Sequence, residues 1–117
     1  MAMSSDDVHR KVESTWSDAA ERHRARQALD AMQGVSDAGR ARVQLAVLKL
    51  ADGRIEELGK WIEVAERDFR DTLAPAEYPE EFQATWALRR DLSEEDKARV
   101  AAIRSRDRAQ YLEWLKR

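Results

Sequence analysis

Apolar residues recur at helical spacing along most of the chain. Val8, Val12, Trp16, Ala19 or Ala20, and His23 open the pattern, which runs on through Ala28, Leu29 and Met32 to a stop at Gly34. Ser4 with Asp7 three residues later reads as a capping box, and Asp6 and Asp7 suit the positive end of the helix dipole. The spacing predicts one long N-terminal helix with a thin apolar seam, lying on the outside of a bundle. Residues 1–5 read as a disordered leader.

Ser36 or Asp37 can cap the next helix, whose run Val43-Gln44-Leu45-Ala46-Val47-Leu48-Lys49-Leu50 is apolar nearly all round. So wide an apolar surface belongs at the centre of a bundle. Ala51-Asp52-Gly53 supplies a stop, because glycine takes the left-handed conformation that ends a helix without steric cost. Ile55, Leu58, Ile62, Ala65, Phe69 and Thr72 then alternate spacings of three and four, which predicts a helix from Arg54 to about Leu73 doubling back on its predecessor as an αα-hairpin. Glu56 to Lys60, Glu63 to Arg67 and Glu66 to Arg70 are acid-before-base pairs four apart, each worth about 0.2–0.5 kcal/mol on a helix surface.

Ala74-Pro75-Ala76-Glu77-Tyr78-Pro79 interrupts the helical composition. Pro75 disfavours helix at Ala74, and Pro79 suits the first position of a new helix beside Glu80 and Glu81. Phe82 and Trp86 share one face of a short helix ending near Arg90. Ser93 with Asp96 opens another through Val100 and Ile103, with a kink or new cap expected at Ser105 and an aromatic-aliphatic patch at Tyr111, Leu112, Trp114 and Leu115. The resulting expectation is one all-α domain over residues 1–117: a small helical bundle with a long N-terminal helix, a central αα-hairpin from Ser36 to Leu73, and short C-terminal helices.

Composition narrows the function classes. At 117 residues the chain is the size of one domain, and 21 basic against 23 acidic residues exclude a strongly basic nucleic-acid glove or an acidic tail. High charge at near-zero net charge, with bulky apolar residues present, marks a folding chain and not a disordered one. The absence of cysteine excludes disulfides, thiolate-bound metal and thiol nucleophiles. No stretch approaches the ~20 apolar residues that span a bilayer, and the start lacks the features of a signal peptide, so a cytoplasmic location is expected.

Catalytic grammar is missing. Neither His9 nor His23 follows a Glu at the spacing of di-iron bundles. Glu63, Glu66, Asp68 and Asp71 each have an arginine neighbour and read as solvated helix surface, with Asp68-Phe69-Arg70-Asp71 placed to order the proline loop by capping or ion pairing. Four isolated glycines assemble no phosphate loop or nucleophile elbow. Arg22-His23-Arg24-Ala25-Arg26 and Arg104-Ser105-Arg106-Asp107-Arg108 are basic runs, diluted by Asp18, Glu21, Asp30 and Asp107.

The aromatics are the most suggestive feature. Trp16 and Trp61 have packing roles, whereas Trp86 with Phe82 and Trp114 with Tyr111 sit on terminal elements too small for cores of their own. They either fold back over the hairpin or offer anchors to a protein partner or a second copy of this chain. The reading is a non-enzymatic interaction or adaptor module without cofactor, metal or catalytic residue, contacting its partner through Tyr78, Phe82, Trp86, Tyr111, Trp114 and Leu115. The alternatives are an accessory protein of a nucleic-acid system using the two arginine runs, and a small carboxylate-based metal protein.

The stretch Arg42 to Gly53, continued through Glu63 to Asp71 and on to Ala76-Glu77-Tyr78-Pro79, resembles a group of short uncharacterised bacterial proteins, and Leu92 to Trp114 is similar to their ending. The likeness covers roughly residues 40–115. It implies a small bacterial protein with the hairpin and proline loop as its common unit, and it carries over no catalytic residue.

Overall fold

A computed structural model describes residues 3–84 and 89–117, and among these there are seven helices and no strand. They are α1 (Ser5–Thr15), α2 (Ala19–Asp30), α3 (Asp37–Ala51), α4 (Ile55–Arg67), α5 (Arg70–Glu77), α6 (Pro79–Gln83) and α7 (Glu94–Lys116). The chain is all-α as its periodicity predicts, but its long helix is C-terminal.

The capping box at the start of α1 forms in both directions between Ser4 and Asp7. Ser4 and Ser5 therefore belong to the folded helix, and Met3 packs against the core, which shortens the expected leader. The expected long N-terminal helix is instead two helices. Ser14 and Thr15 turn their hydroxyls back onto the Lys11 carbonyl, Trp16 is extended, and Asp18 accepts from the Glu21 amide at 3.2 Å to start α2. Such side-chain bonds compete with helix, and here they win because the break lets Trp16 bury itself. Only 3 % of Trp16 is exposed, and its indole donates to the Gly53 carbonyl at 3.1 Å in the α3–α4 turn.

α3 is the centre of the fold, with every residue from Val43 to Leu48 buried between α1, α4 and α5. Its run is apolar all round because it has neighbours on several sides. Asp52 (φ 52°) and Gly53 (φ 79°) both take the left-handed conformation, turning the chain into α4 as expected of the hairpin. The C-terminal carbonyls of α2 have no partner within their own helix. Arg40 donates to those of Leu29 and Asp30 and to the Met32 carbonyl just past the helix, and Gln44 donates to that of Leu29.

The seam of α4 holds for Leu58, Ile62 and Ala65, then stops. Asp68 takes an extended conformation and accepts from the Arg70 amide and guanidinium at 3.0 Å, so α5 starts there and Phe69 is thrown outward. None of the three anticipated four-apart ion pairs forms among the described residues: Lys60 meets Glu57, Glu66 accepts from the Gln33 amide, and Arg70 meets Asp68. The proline stretch corrects a second expectation, because α5 runs through Pro75. A proline there forfeits one bond, to the Asp71 carbonyl in the first turn, while the buried Thr72, Ala76 and Glu77 hold the segment against α3. Pro79 does open α6.

α7 is continuous over 23 residues, about 35 Å at 1.5 Å per residue, with no kink or cap at Ser105. Its seam reads Val100, Ile103, Asp107, Tyr111, Leu115, an unbroken three-and-four pattern in which an aspartate takes an apolar place. Burial begins only at Asp107. The first half of α7 packs on α6, and the chain measures 51 × 28 × 25 Å along its principal axes.

Gly34 and Gly59 test these backbone assignments in opposite directions. Gly34 has φ 80°, and a Cβ there would lie 3.2 Å from the Glu66 carbonyl oxygen. Gly34→Ala is expected to cost about 1–2 kcal/mol. Gly59 lies inside α4 with open space around it, so Gly59→Ala is expected to gain about 0.5–1 kcal/mol. Urea unfolding of the two variants measures both.

Candidate functional site

Of the six aromatic and aliphatic residues expected to form one contact surface, the five described divide between two places. Trp86 lies outside the described residues. Tyr111 and Leu115 are buried in the core of this chain and are not surface anchors. They are drawn in because α7 lays its second half against the bundle, where Tyr111 also packs on Trp114 at 5.4 Å between ring centroids. Trp114 is half-buried under Lys11, whose ammonium stands 4.2 Å from the ring centroid and donates to the Trp114 carbonyl. Tyr78 is half-buried at the α5–α6 corner, while Phe82 on α6 is 54 % exposed.

α6 has only five residues and no core of its own. It is held from α7 by three carboxylate contacts. The Asp107 side chain, 1 % exposed, accepts from the Glu80 amide at 3.2 Å and the Glu81 amide at 3.0 Å, so a residue 26 positions away acts as the N-terminal cap. Arg104 donates to both oxygens of Glu81, and Arg106 to Glu80. The Glu81 hydrogen bonds push the Arg104 guanidinium above its usual range. The second basic run therefore has two of its arginines ion-paired to α6. In the first run Arg26 meets Glu13 at 2.8 Å and Arg22 donates to the Ser17 carbonyl. Arg26, with His9 behind it, holds the Glu13 carboxyl below the ordinary carboxylate range.

On the other side of the corner, a groove of about 610 Å³ opens between the start of α1, the first turn of α3, the α5–α6 junction and the second half of α7. Tyr78, Tyr111, Leu112 and Leu115 contribute its apolar wall. Glu77 is buried beside it and accepts from Arg42 through both oxygens, at 2.9 and 2.6 Å. That pairing raises the Arg42 guanidinium. Arg10 is paired with Asp7. Arg108 and Lys116 have no carboxylate within 4.0 Å among the described residues. The Tyr111 hydroxyl is buried without a hydrogen-bond partner among them.

Asp107, Glu77 and Lys11 escaped sequence reasoning. Only Asp107 had a signal, an acid in an apolar register; the bonds of the other two join residues 35 or more positions apart. Among the described residues no three of His, Asp and Glu come together as a metal cluster, and no helix is long and apolar enough to cross a membrane.

Burial raises the Tyr111 phenol, with the Glu77 carboxylate adding to the shift. The unfolded chain then ionises at its ordinary value of 10.0 while the folded chain stays protonated, so folding stability falls as pH rises beyond that point by about 1.4 kcal/mol per unit. Lys11 and Lys49 are lowered by burial and act the other way, adding stability as pH climbs toward 10.5. Alkaline unfolding is therefore expected to start above pH 10, and Tyr111→Phe to move it to higher pH. A circular-dichroism titration reads the shift.

No family model, curated protein or solved structure matches the chain. Its function is read from its own geometry.

Proposed function

We propose that the chain is a non-enzymatic protein-interaction module of the bacterial cytoplasm. Its contact surface is the α6 corner, with Phe82 as anchor and Tyr78 beside it. The observation that carries the reading is the combination at Phe82. An aromatic ring 54 % exposed stands on a helix too short to be stable alone, yet that helix is fixed by a buried aspartate and two arginine–glutamate pairs. Exposed aromatics on rigid supports are the usual energetic anchors of interfaces, because little side-chain freedom is lost when they dock. The buried polar groups support the non-enzymatic half of the reading. Lys11 holds the end of α7, Lys49 the Ala76 carbonyl, Glu77 an arginine, and Asp107 the start of α6.

Photo-crosslinking inside cells of the native host tests the proposal. A benzophenone amino acid placed at Phe82 is expected to give a discrete adduct that the same group at Arg24, exposed on α2, does not give. An adduct of twice the chain's mass identifies a second copy, and any other mass a different protein. Equal, diffuse labelling from both positions would contradict the proposal. Phe82→Ser is expected to leave the melting temperature within about 2 °C, since more than half of Phe82 is already exposed.

A further inference from the structure

We infer that the outer face of α7 docks a second copy of this chain, the two helices lying antiparallel about a two-fold axis at Ser105. This face is separate from the Phe82 surface. α7 meets α5 and α6 through the side that carries Asp107 and Tyr111. At 3.6 residues per turn, Ala98, Ala101, Ala102, Ser105, Ala109 and Leu112 lie on the opposite side. Leu112 is half-buried and the other five are exposed. In a chain with 38 % charged residues, this solvent-facing stripe runs for about 21 Å without a charge. Its spacings from Ala98 through Ala102, Ser105 and Ala109 to Leu112 are four, three, four and three, the repeat that keeps two helices in contact along their length. Small side chains let the axes approach to the short end of the ~8–10 Å range of packed helices.

Charge selects the occupant and its direction. Glu94 and Glu95 precede the stripe, and Lys116 follows it. Antiparallel pairing centred on Ser105 sets Ala98 against Leu112 and Ala102 against Ala109 of the second copy, and it brings Glu95 to Lys116 and Glu113 to Arg99. Parallel pairing would instead place Glu95, Glu113 and Lys116 each beside its own copy, and like charges so placed repel. Arg106 would meet its copy near the axis, but Glu80 already holds it at 2.7 Å. The face therefore complements itself in one orientation, as a two-fold contact requires. The stripe is narrow, which sets the dissociation constant on the order of 100 µM.

Sedimentation equilibrium of the full chain from about 10 µM to about 1 mM tests this. The average mass is expected to rise from that of one chain toward that of two, in Phe82→Ser as in the original. Ala102→Glu changes an exposed position, so it is expected to stay folded and to hold the mass at one chain throughout. Each cross-helix pair occurs twice in a two-fold dimer. Lys116→Glu should therefore weaken pairing about fivefold, and adding Glu95→Lys should restore it to within about twofold. The chain has no cysteine, so oxidation of single-cysteine variants reads the register. Ser105→Cys is expected to give a disulfide-linked dimer and Ala98→Cys none, since the two copies of residue 98 would stand about 21 Å apart. A single-chain mass at about 1 mM would overturn the inference. So would a dimer that Ala102→Glu or Lys116→Glu leaves intact, or crosslinking of Ala98→Cys as readily as Ser105→Cys.

Discussion

Asp107→Ala is expected to cost about 2–3 kcal/mol and to lower the melting temperature by about 10 °C. The carboxylate is 1 % exposed and serves two amides at the start of α6, and hydrogen bonds to a charged group are worth about 1.5–3 kcal/mol. Lys49 feels the same charge, so its field is lost as well. Removing Asp107 also relieves the desolvation of a buried anion, which holds the net cost below the sum of the two bonds. Asp107→Asn keeps one acceptor oxygen and is expected to lose about half as much. The damage should be local: the chemical shifts of α5 to α7 and of the end of α3 around Lys49 move, while those of α1 and α2 stay. A loss under about 0.5 kcal/mol would mean that α6 is held by its arginine pairs alone.

Trp16→Ala carries the larger penalty, about 3–5 kcal/mol, as expected for emptying a large buried aromatic site. Trp16 fills the space between the end of α1 and the α3–α4 turn, and its indole N–H satisfies the Gly53 carbonyl. Trp16→Phe keeps most of the apolar area and loses only the donor, so about 1–2 kcal/mol is expected. Chemical denaturation of both variants separates packing from hydrogen bonding. If the two cost the same, the Gly53 bond and not the ring volume fixes the turn.

The elements legible in the sequence are those whose signals are local and agree with their surroundings. Ser4 and Ser93 each face an aspartate three residues on, and both cap helices as expected. Val43 to Leu48 reads as a central helix because only a helix with several neighbours buries every face. Asp52-Gly53 marks the hairpin turn. The failures lie where two local signals compete or where distance decides. Asp18 with Glu21 was available as a cap inside an otherwise helical pattern, but the break at Trp16 depends on a turn 37 residues away that offers a carbonyl. Pro75 argues locally against helix, and tertiary burial of Thr72, Ala76 and Glu77 outweighs it. Phe69 obeys the α4 seam in sequence, yet Asp68 ends α4 in an extended conformation and accepts from the Arg70 amide two residues on, and the Phe69 ring stands 42 % exposed.

The candidate site was half legible for the same reason. The aromatic surplus on the terminal elements pointed to the region, but exposure is settled by how α7 lies on the bundle. Tyr111 and Leu115 face inward and Phe82 outward, a distinction no spacing within α6 or α7 contains. The arginines of the second run look available in sequence, and Glu80 and Glu81 claim two of them across more than twenty residues of chain.

The interaction reading stands on α6 being a fixed platform for Phe82 and not a fraying turn. Native-state hydrogen exchange at the Glu80 and Glu81 amides tests that most directly, because these two donors bond to Asp107 and to nothing in their own helix. Protection close to that of the α3 core amides, abolished in Asp107→Ala, is the predicted result. Exchange at the rate of an unfolded peptide in the intact protein would contradict it.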